Sequence, residues 1–188
     1  MNESCIFELK YNRMIRQIIK DLEIWKNNSN RKPLILQGAR QVGKTWIMKE
    51  FGKTHFENVV YINFESSIRL QQMFADDFSI PRIISIFEIE SGKKIESQNT
   101  LLILDEIQEA EKGLTALKYF QENAPEYFVM AAGSLLGVSI QKNNTFPVGK
   151  VDFLNLYPMS FKEFLINLNE ALLEKAIENN DWGIINPF

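Results

Sequence analysis

The chain has 188 residues, 45% of them apolar, with 14 phenylalanines, one cysteine and a formal net charge of −3. That length and apolar share suffice for one domain of ordinary size with a buried core, and no stretch approaches the ~18 consecutive apolar residues of a membrane span. The small negative charge gives no global basis for nucleic-acid binding. Cys5 alone cannot form an internal disulfide, and Met1-Asn2-Glu3-Ser4 lacks a charged-then-apolar leader, so a cytoplasmic protein is expected.

Residues 6–26 predict a helix, with Ile15, Ile18, Ile19, Leu22 and Trp25 on one face. Asn27-Asn28-Ser29-Asn30 ends it in a loop. Residues 33–37 predict a short buried strand. It runs into Gly38-Ala39-Arg40-Gln41-Val42-Gly43-Lys44-Thr45, which fits G-x-x-x-x-G-K-[ST] at every position. Glycines at both ends let the backbone close tightly around a phosphate. Its N–H groups can then cradle anionic oxygens, helped by the positive end of the following helix. Lys44 can reach the β- and γ-phosphates, and Thr45 can offer its hydroxyl to Mg²⁺. A Gly-rich turn with a chance Lys-Thr is the bland alternative. The strand before the motif and the helical Trp46-Ile47-Met48-Lys49-Glu50-Phe51 after it favour the phosphate-binding loop, with Gly38 to Trp46 as the nucleotide-contacting run.

Further along, Val59 to Phe64 predicts a second strand, Ile68 to Phe74 a helix, and Pro81 the start of another helix that ends at Gly92. Residues 92–100 are polar and loop-like. Leu101-Leu102-Ile103-Leu104 is a continuous apolar run, as a parallel strand covered on both faces requires. A helix near 112–123, a strand over 127–132, a strand over 151–156 and a helix over 161–168 complete the pattern. There is no internal repeat. This alternation predicts a parallel sheet sandwiched by helices.

The apolar run at 101–104 ends in Asp105-Glu106, the Walker B pattern. A carboxylate emerging there lies at the ligand-binding end of an open α/β sheet. Asp105 can hold Mg²⁺ through water, and Glu106 can polarise an attacking water. A helix-capping acidic pair is the alternative. Ser134 follows the strand at 127–132. If that strand lies between the P-loop strand and the Asp105 strand, Ser134 faces the γ-phosphate; otherwise it caps the next helix. Asn63 either holds Glu106 inactive by a hydrogen bond or is an ordinary polar strand end. His55, the only histidine, is read as a surface residue in a loop.

These motifs occur in one order with Tyr61-Ile62-Asn63-Phe64-Glu65, Ala131 to Val138, Phe146-Pro147-Val148-Gly149-Lys150-Val151 and Leu156 to Leu165. Together they resemble the prokaryotic AAA-family ATPases that join an N-terminal ATPase domain to a C-terminal DUF4143 domain. The resemblance covers roughly residues 10–170. It implies an α/β P-loop NTPase fold, AAA-type, with five parallel strands ordered 5-1-4-3-2. It also implies ATP and Mg²⁺ as cofactors, Glu106 and Lys44 as catalytic, Thr45 and Asp105 at the metal, and a homo-oligomer in the full-length family; Ser134 joins the catalytic set on its position after the strand, and no membrane attachment is expected. The protein or nucleic-acid target is left unnamed. Where relatives are expected to carry Gly-Arg, this chain has Gly149-Lys150, and lysine lacks the planar fork of an arginine finger.

The domain expectation is a helix and loop over 1–30, the ATPase domain over 31–170 and a tail over 171–188 that departs from the family pattern, so the C-terminal domain is expected to be missing. The leading function is ATP hydrolysis coupled to a conformational change. The alternative is a nucleotide-binding regulatory module that rarely turns over. A small-molecule kinase lacks its Arg-rich lid here, and a GTPase its Asn-Lys-x-Asp motif.

Overall fold

The computed structural model describes residues 14–75, 77–133 and 149–168, together with Lys175 and Asn179. In chain order the elements are α1 (Ile18–Asn27), β1 (Leu34–Gln37), α2 (Lys44–His55), β2 (Asn58–Asn63), α3 (Ile68–Gln71), α4 (Ile80–Ser91), β3 (Thr100–Asp105), α5 (Gly113–Asn123), β4 (Phe128–Ala132), β5 (Asp152–Asn155) and α6 (Phe161–Asn167). Ile19 to Pro158 form one compact unit; the described residues up to Ile18 and from Met159 belong to a second.

The first unit holds one five-stranded sheet in the order β2-β3-β4-β1-β5, every pairing parallel. Read from its other edge, this is the expected 5-1-4-3-2. Every residue of β3 and β4 is buried, which explains their unbroken apolar sequences. Edge strand β5 alternates between half-buried and exposed residues. Phe64, Phe74, Phe87 and Phe120 pack with Ile62, Leu102 and Leu104 into the core on one side of this sheet. Helix α4 has proline in its first turn and ends where Gly92 turns left-handed (φ 67°), its N–H donating to Glu88 O. No helix among the described residues is long and apolar enough to cross a membrane.

Three local expectations are corrected. Among the described residues the helix expected over 6–26 runs from Ile18 to Asn27, and residues 14–17 are not helical; residues 6–13 lie outside the described ones. Ahead of Ile18, backbone groups are committed elsewhere. Ile15 N donates to Asn167 Oδ1 (2.7 Å), Ile15 O accepts from Asn167 Nδ2 (2.8 Å) and Gln17 N donates to Glu163 Oε1 (2.8 Å). Ile15 is exposed as a result, not part of an apolar face. The helix at 68–74 stops at Gln71, where bonds from Met73 N to Leu70 O and from Ala75 N to Gln72 O tighten the chain into turns. His55 is the last residue of α2, stacked on Phe51 with 4.3 Å between ring centroids and 3.0 Å from Glu23 Oε1, so it is not in a loop.

In the second unit, Ser160 and Glu163 form a capping box at the start of α6. Ser160 Oγ accepts from Glu163 N (3.1 Å) and Glu163 Oε2 accepts from Ser160 N (2.9 Å). Arg16 Nε donates to Glu163 Oε1 at 3.2 Å, both side chains being buried. Burial pushes the Glu163 carboxyl up, but the hydrogen bonds from Gln17, Ser160 and Arg16 outweigh it and hold the group below its ordinary range.

Glu163→Gln should therefore destabilise this unit by about 2–4 kcal/mol, since it breaks the buried ion pair with Arg16 and disturbs the cap. A depressed carboxyl stabilises fully above its unfolded value, and that contribution is lost as pH falls through its folded value. The melting difference between wild type and mutant should hold near neutrality and shrink below about pH 4. Thermal melts across that range check it; a pH-independent difference would refute the charge argument.

Candidate functional site

β1 ends at Gln37 and α2 begins at Lys44, so Gly38 to Gly43 form the connecting loop. Leu156 N donates to Gln37 O at 2.7 Å, and a Cβ on Gly38 would lie 2.3 Å from Leu156 O. Only glycine fits there. Gln41 (φ 66°) and Gly43 (φ 94°) are left-handed, and such positions curl a backbone so that successive N–H groups converge on an anion. No side chain caps α2 at Gly43, so its first N–H groups remain available to a ligand. Lys44 is buried, and its Nζ donates to Gly38 O and Ala39 O at 2.9 Å each. Ala39, Arg40, Gln41 and Trp46 are exposed, and Val42 is half-buried.

β4 lies between β1 and β3, with Ala132 in register with both Leu36 and Asp105. The loop after β1 and the acid at the end of β3 therefore flank the end of β4. Thr45 Oγ1 donates to Asp105 Oδ2 at 2.7 Å across that gap. Tyr61 OH donates to the same oxygen at 2.9 Å, and Glu106 N approaches Oδ1 at 3.2 Å. Asp105 is only 5% exposed, so these donors take the place of water. Burial, then the hydrogen bond to Asp105 and the charges of Asp105 and Glu106, push the Tyr61 phenol far above its ordinary range and keep it a donor. Lys49 Nζ sits 3.4 Å from the centroid of the Tyr61 ring.

Glu106 is left-handed (φ 51°, ψ 45°), a conformation that strains a residue carrying a Cβ. Gln108 Nε2 donates to Glu106 Oε2 at 2.5 Å. Asn63 pairs with Asp105 in the β2–β3 ladder, and its Oδ1 accepts from Glu65 N at 2.9 Å, capping the turn Phe64–Ser66. Ser134, expected two residues beyond β4, lies outside the described residues; the strand it follows does run between the other two. Lys150 Nζ pairs with Glu122 Oε1 at 2.9 Å.

The loop, Lys44, Thr45, Asp105 and Glu106 are thus gathered at one end of the sheet. Sequence reasoning missed Tyr61, Lys49 and Gln108 as members of this group. A signal existed for two of them: Lys49 follows Thr45 by one helical turn, and Tyr61 shares a strand face with Asn63. The donor set suits a hard cation, since a hydroxyl and a carboxylate oxygen lie within hydrogen-bond distance of each other. Among the described residues no group of three or more His, Cys, Asp or Glu is placed to hold a metal. A divalent cation here would share its coordination with phosphate and water, the habit of Mg²⁺.

The family model described as AAA domain (AAA_14) matches residues 30–165, and the chain belongs to this family. No curated protein matches it. Among solved structures, a Walker-type ATPase of Pyrococcus abyssi is similar with a TM-score of 0.55 at 15% identity, over 89% of this chain and 63% of that one. The Aeropyrum pernix ORC1 protein in complex with DNA gives 0.49 at 14% identity, over 89% and 49% of the two chains. C. elegans PCH-2 gives 0.47 at 15%, over 90% and 50%. The chain thus spans between about half and just under two thirds of these structures. The P. abyssi likeness shows a shared fold.

Gly38→Ala should destabilise the protein by about 1–3 kcal/mol, because the added methyl meets a backbone oxygen and not a yielding side chain. Gly43→Ala meets no neighbour within 4 Å and suffers only from its left-handed backbone, roughly 1 kcal/mol. Urea titration of both variants ranks them, and equal stability would contradict the close approach at Leu156.

Proposed function

We propose that this chain binds ATP with Mg²⁺ and hydrolyses it, with residues 31–170 as the ATPase domain and the cycle coupled to a conformational change. The observation that carries the reading is the bond from Thr45 to Asp105, which joins the P-loop helix to the acidic end of β3. Loop N–H groups hold the phosphates, and Lys44 supplies a positive charge already confined at the loop. Mg²⁺, when bound, neutralises and orients the phosphate oxygens. Thr45 and Asp105 are its protein-side partners. Glu106 accepts the proton of the attacking water as the oxygen bonds to the γ-phosphorus and the bond to the bridging oxygen of ADP breaks. Its left-handed backbone and the bond from Gln108 fix where that carboxylate stands. Ser134 as a γ-phosphate contact remains part of the proposal.

One observation favours the second reading, a nucleotide-binding regulatory module with little turnover. Lys150, the position expected for a trans-acting cation, is paired within its own chain with Glu122. Phosphate release measured with and without Mg²⁺ separates the two: Mg²⁺-dependent multiple turnover supports hydrolysis, and tight binding without turnover supports the module.

Lys44→Ala should weaken ATP binding at least about tenfold by fluorescent-nucleotide titration, since a charge-assisted contact is lost. Glu106→Gln should keep affinity and lower kcat by about 10²–10⁴, the share of a general base. Asp105→Asn should lose the Mg²⁺ dependence of binding together with turnover. Wild-type hydrolysis in both acidic-pair variants would remove them from the chemistry.

A further inference from the structure

Asp105 does not stand on the Thr45 contact alone. Its Oδ2 takes two hydroxyl donors, Thr45 at 2.7 Å and Tyr61 at 2.9 Å, from two different elements. Tyr61 pairs with Ile103 in the β2–β3 ladder, two residues before Asp105. It therefore meets the carboxylate along the diagonal of one sheet face. Lys49 lies one turn beyond Thr45 on α2 and places its ammonium 3.4 Å from the Tyr61 ring centroid. The contacts close a ring: Thr45 to Asp105, Asp105 to Tyr61, Tyr61 to Lys49, and Lys49 back to Thr45 through one helical turn. A carboxylate oxygen gripped by two donors in this way has little freedom to rotate.

We propose that Tyr61, braced by Lys49, is a positioning residue that fixes the Asp105 carboxylate for a divalent cation at the nucleotide site. This rests on the reading of that site as Mg²⁺- and ATP-binding. Tyr61 does not touch the phosphates in this scheme; it acts through Asp105. The hydroxyl and the ring have separable duties. The ring and its contact with Lys49 survive in phenylalanine, whereas the donor to Asp105 does not. The direction of the effect also tells positioning from mere charge neutralisation. A donor that only damped the negative charge of Asp105 would, on removal, leave a stronger attraction for the cation. A donor that positions the carboxylate leaves a poorer ligand.

The test uses the whole chain and a fluorescent ATP analogue. Its affinity is measured first in chelator and then across a Mg²⁺ titration, with thermal melts alongside. Tyr61→Phe should keep the metal-free affinity within about twofold and raise the Mg²⁺ midpoint about 3–10-fold, the scale of one net hydrogen bond. Lys49→Met should move the midpoint the same way. In an Asp105→Asn background, where the Mg²⁺ dependence of binding is lost, Tyr61→Phe should leave the nucleotide affinity unchanged at every Mg²⁺ concentration. An unchanged or lower Mg²⁺ midpoint in Tyr61→Phe overturns the proposal. So does an equal loss of affinity with and without metal, or a loss of affinity from Tyr61→Phe that persists in the Asp105→Asn background. If the wild type binds nucleotide with no Mg²⁺ dependence, the reading of the site itself falls; if it binds with that dependence and Tyr61→Phe does nothing, only the role of Tyr61 falls.

Discussion

The hydrogen bond between Thr45 and Asp105 makes the rest of this sheet accountable. It spans 60 residues of sequence and crosses from the helix after β1 to the end of β3, with β4 in between. It can form only if three parallel strands end level. The registers show that they do, with Leu36, Ala132 and Asp105 in line. A slip of one residue in β3 would turn Asp105 to the opposite face of the sheet. A slip of two would carry it about 6–7 Å along the strand, beyond the reach of Thr45. The complete burial of β3 and β4 opposes such slips, because every alternative register would displace packed Leu, Ile, Met and Val side chains.

Where the chain leaves the sheet, it accepts strain that the sheet then supports. Glu106 is left-handed immediately after the buried Asp105, at a cost of about 1–3 kcal/mol for a residue with a Cβ. The kink turns the chain out of β3 into the short turn Ile107–Glu109. It also separates the directions of two adjacent carboxylates: Asp105 is bound inward by Thr45 and Tyr61, while Glu106 is bound by Gln108. Two neighbouring acids on a regular strand would point to opposite faces; the left-handed residue lets both serve one end of the sheet.

What the sequence revealed and what it hid divide along the range of the forces involved. The strands were legible because β3 and β4 are apolar throughout, and the phosphate loop because its glycines and Lys-Thr pair answer to local geometry. The start of α6 fell where expected, and the capping box that fixes it in the structure is confined to four residues. The start of α1 was not legible, because the groups that hold Ile15 and Gln17 out of the helix come from Asn167 and Glu163, about 150 residues away. Nor could sequence show that Tyr61 and Lys49 would close around Asp105. Each has an ordinary reading, an aromatic residue in a strand and a cation on a helix, until register and helix placement bring them together. Asn63 is the mixed case: its place at the end of a strand followed from pattern, but its pairing with Asp105 and the use of its oxygen to cap the Phe64–Ser66 turn did not.

The starts of α2 and α6 make an instructive pair. α6 begins with a reciprocal cap and an acid in its first turn, so its own side chains satisfy the exposed N–H groups and oppose the positive end of the dipole. α2 begins at Gly43 with no side-chain cap, no acid in its first turn and a lysine as its first residue. Each of those choices is locally unfavourable, since a cation at a helix N-terminus adds to the positive charge there. The structure relieves it only in part, by turning Lys44 Nζ back onto Gly38 O and Ala39 O. The lack of a side-chain cap is shared by α3, α4 and α5; what is particular to α2 is a buried lysine as its first residue, which places a positive charge beside the N–H groups of its first turn. Local rules fail in a natural sequence chiefly where function overrides them, and the group that would satisfy those N–H donors and Lys44 together is a polyanion such as the phosphates of a nucleotide.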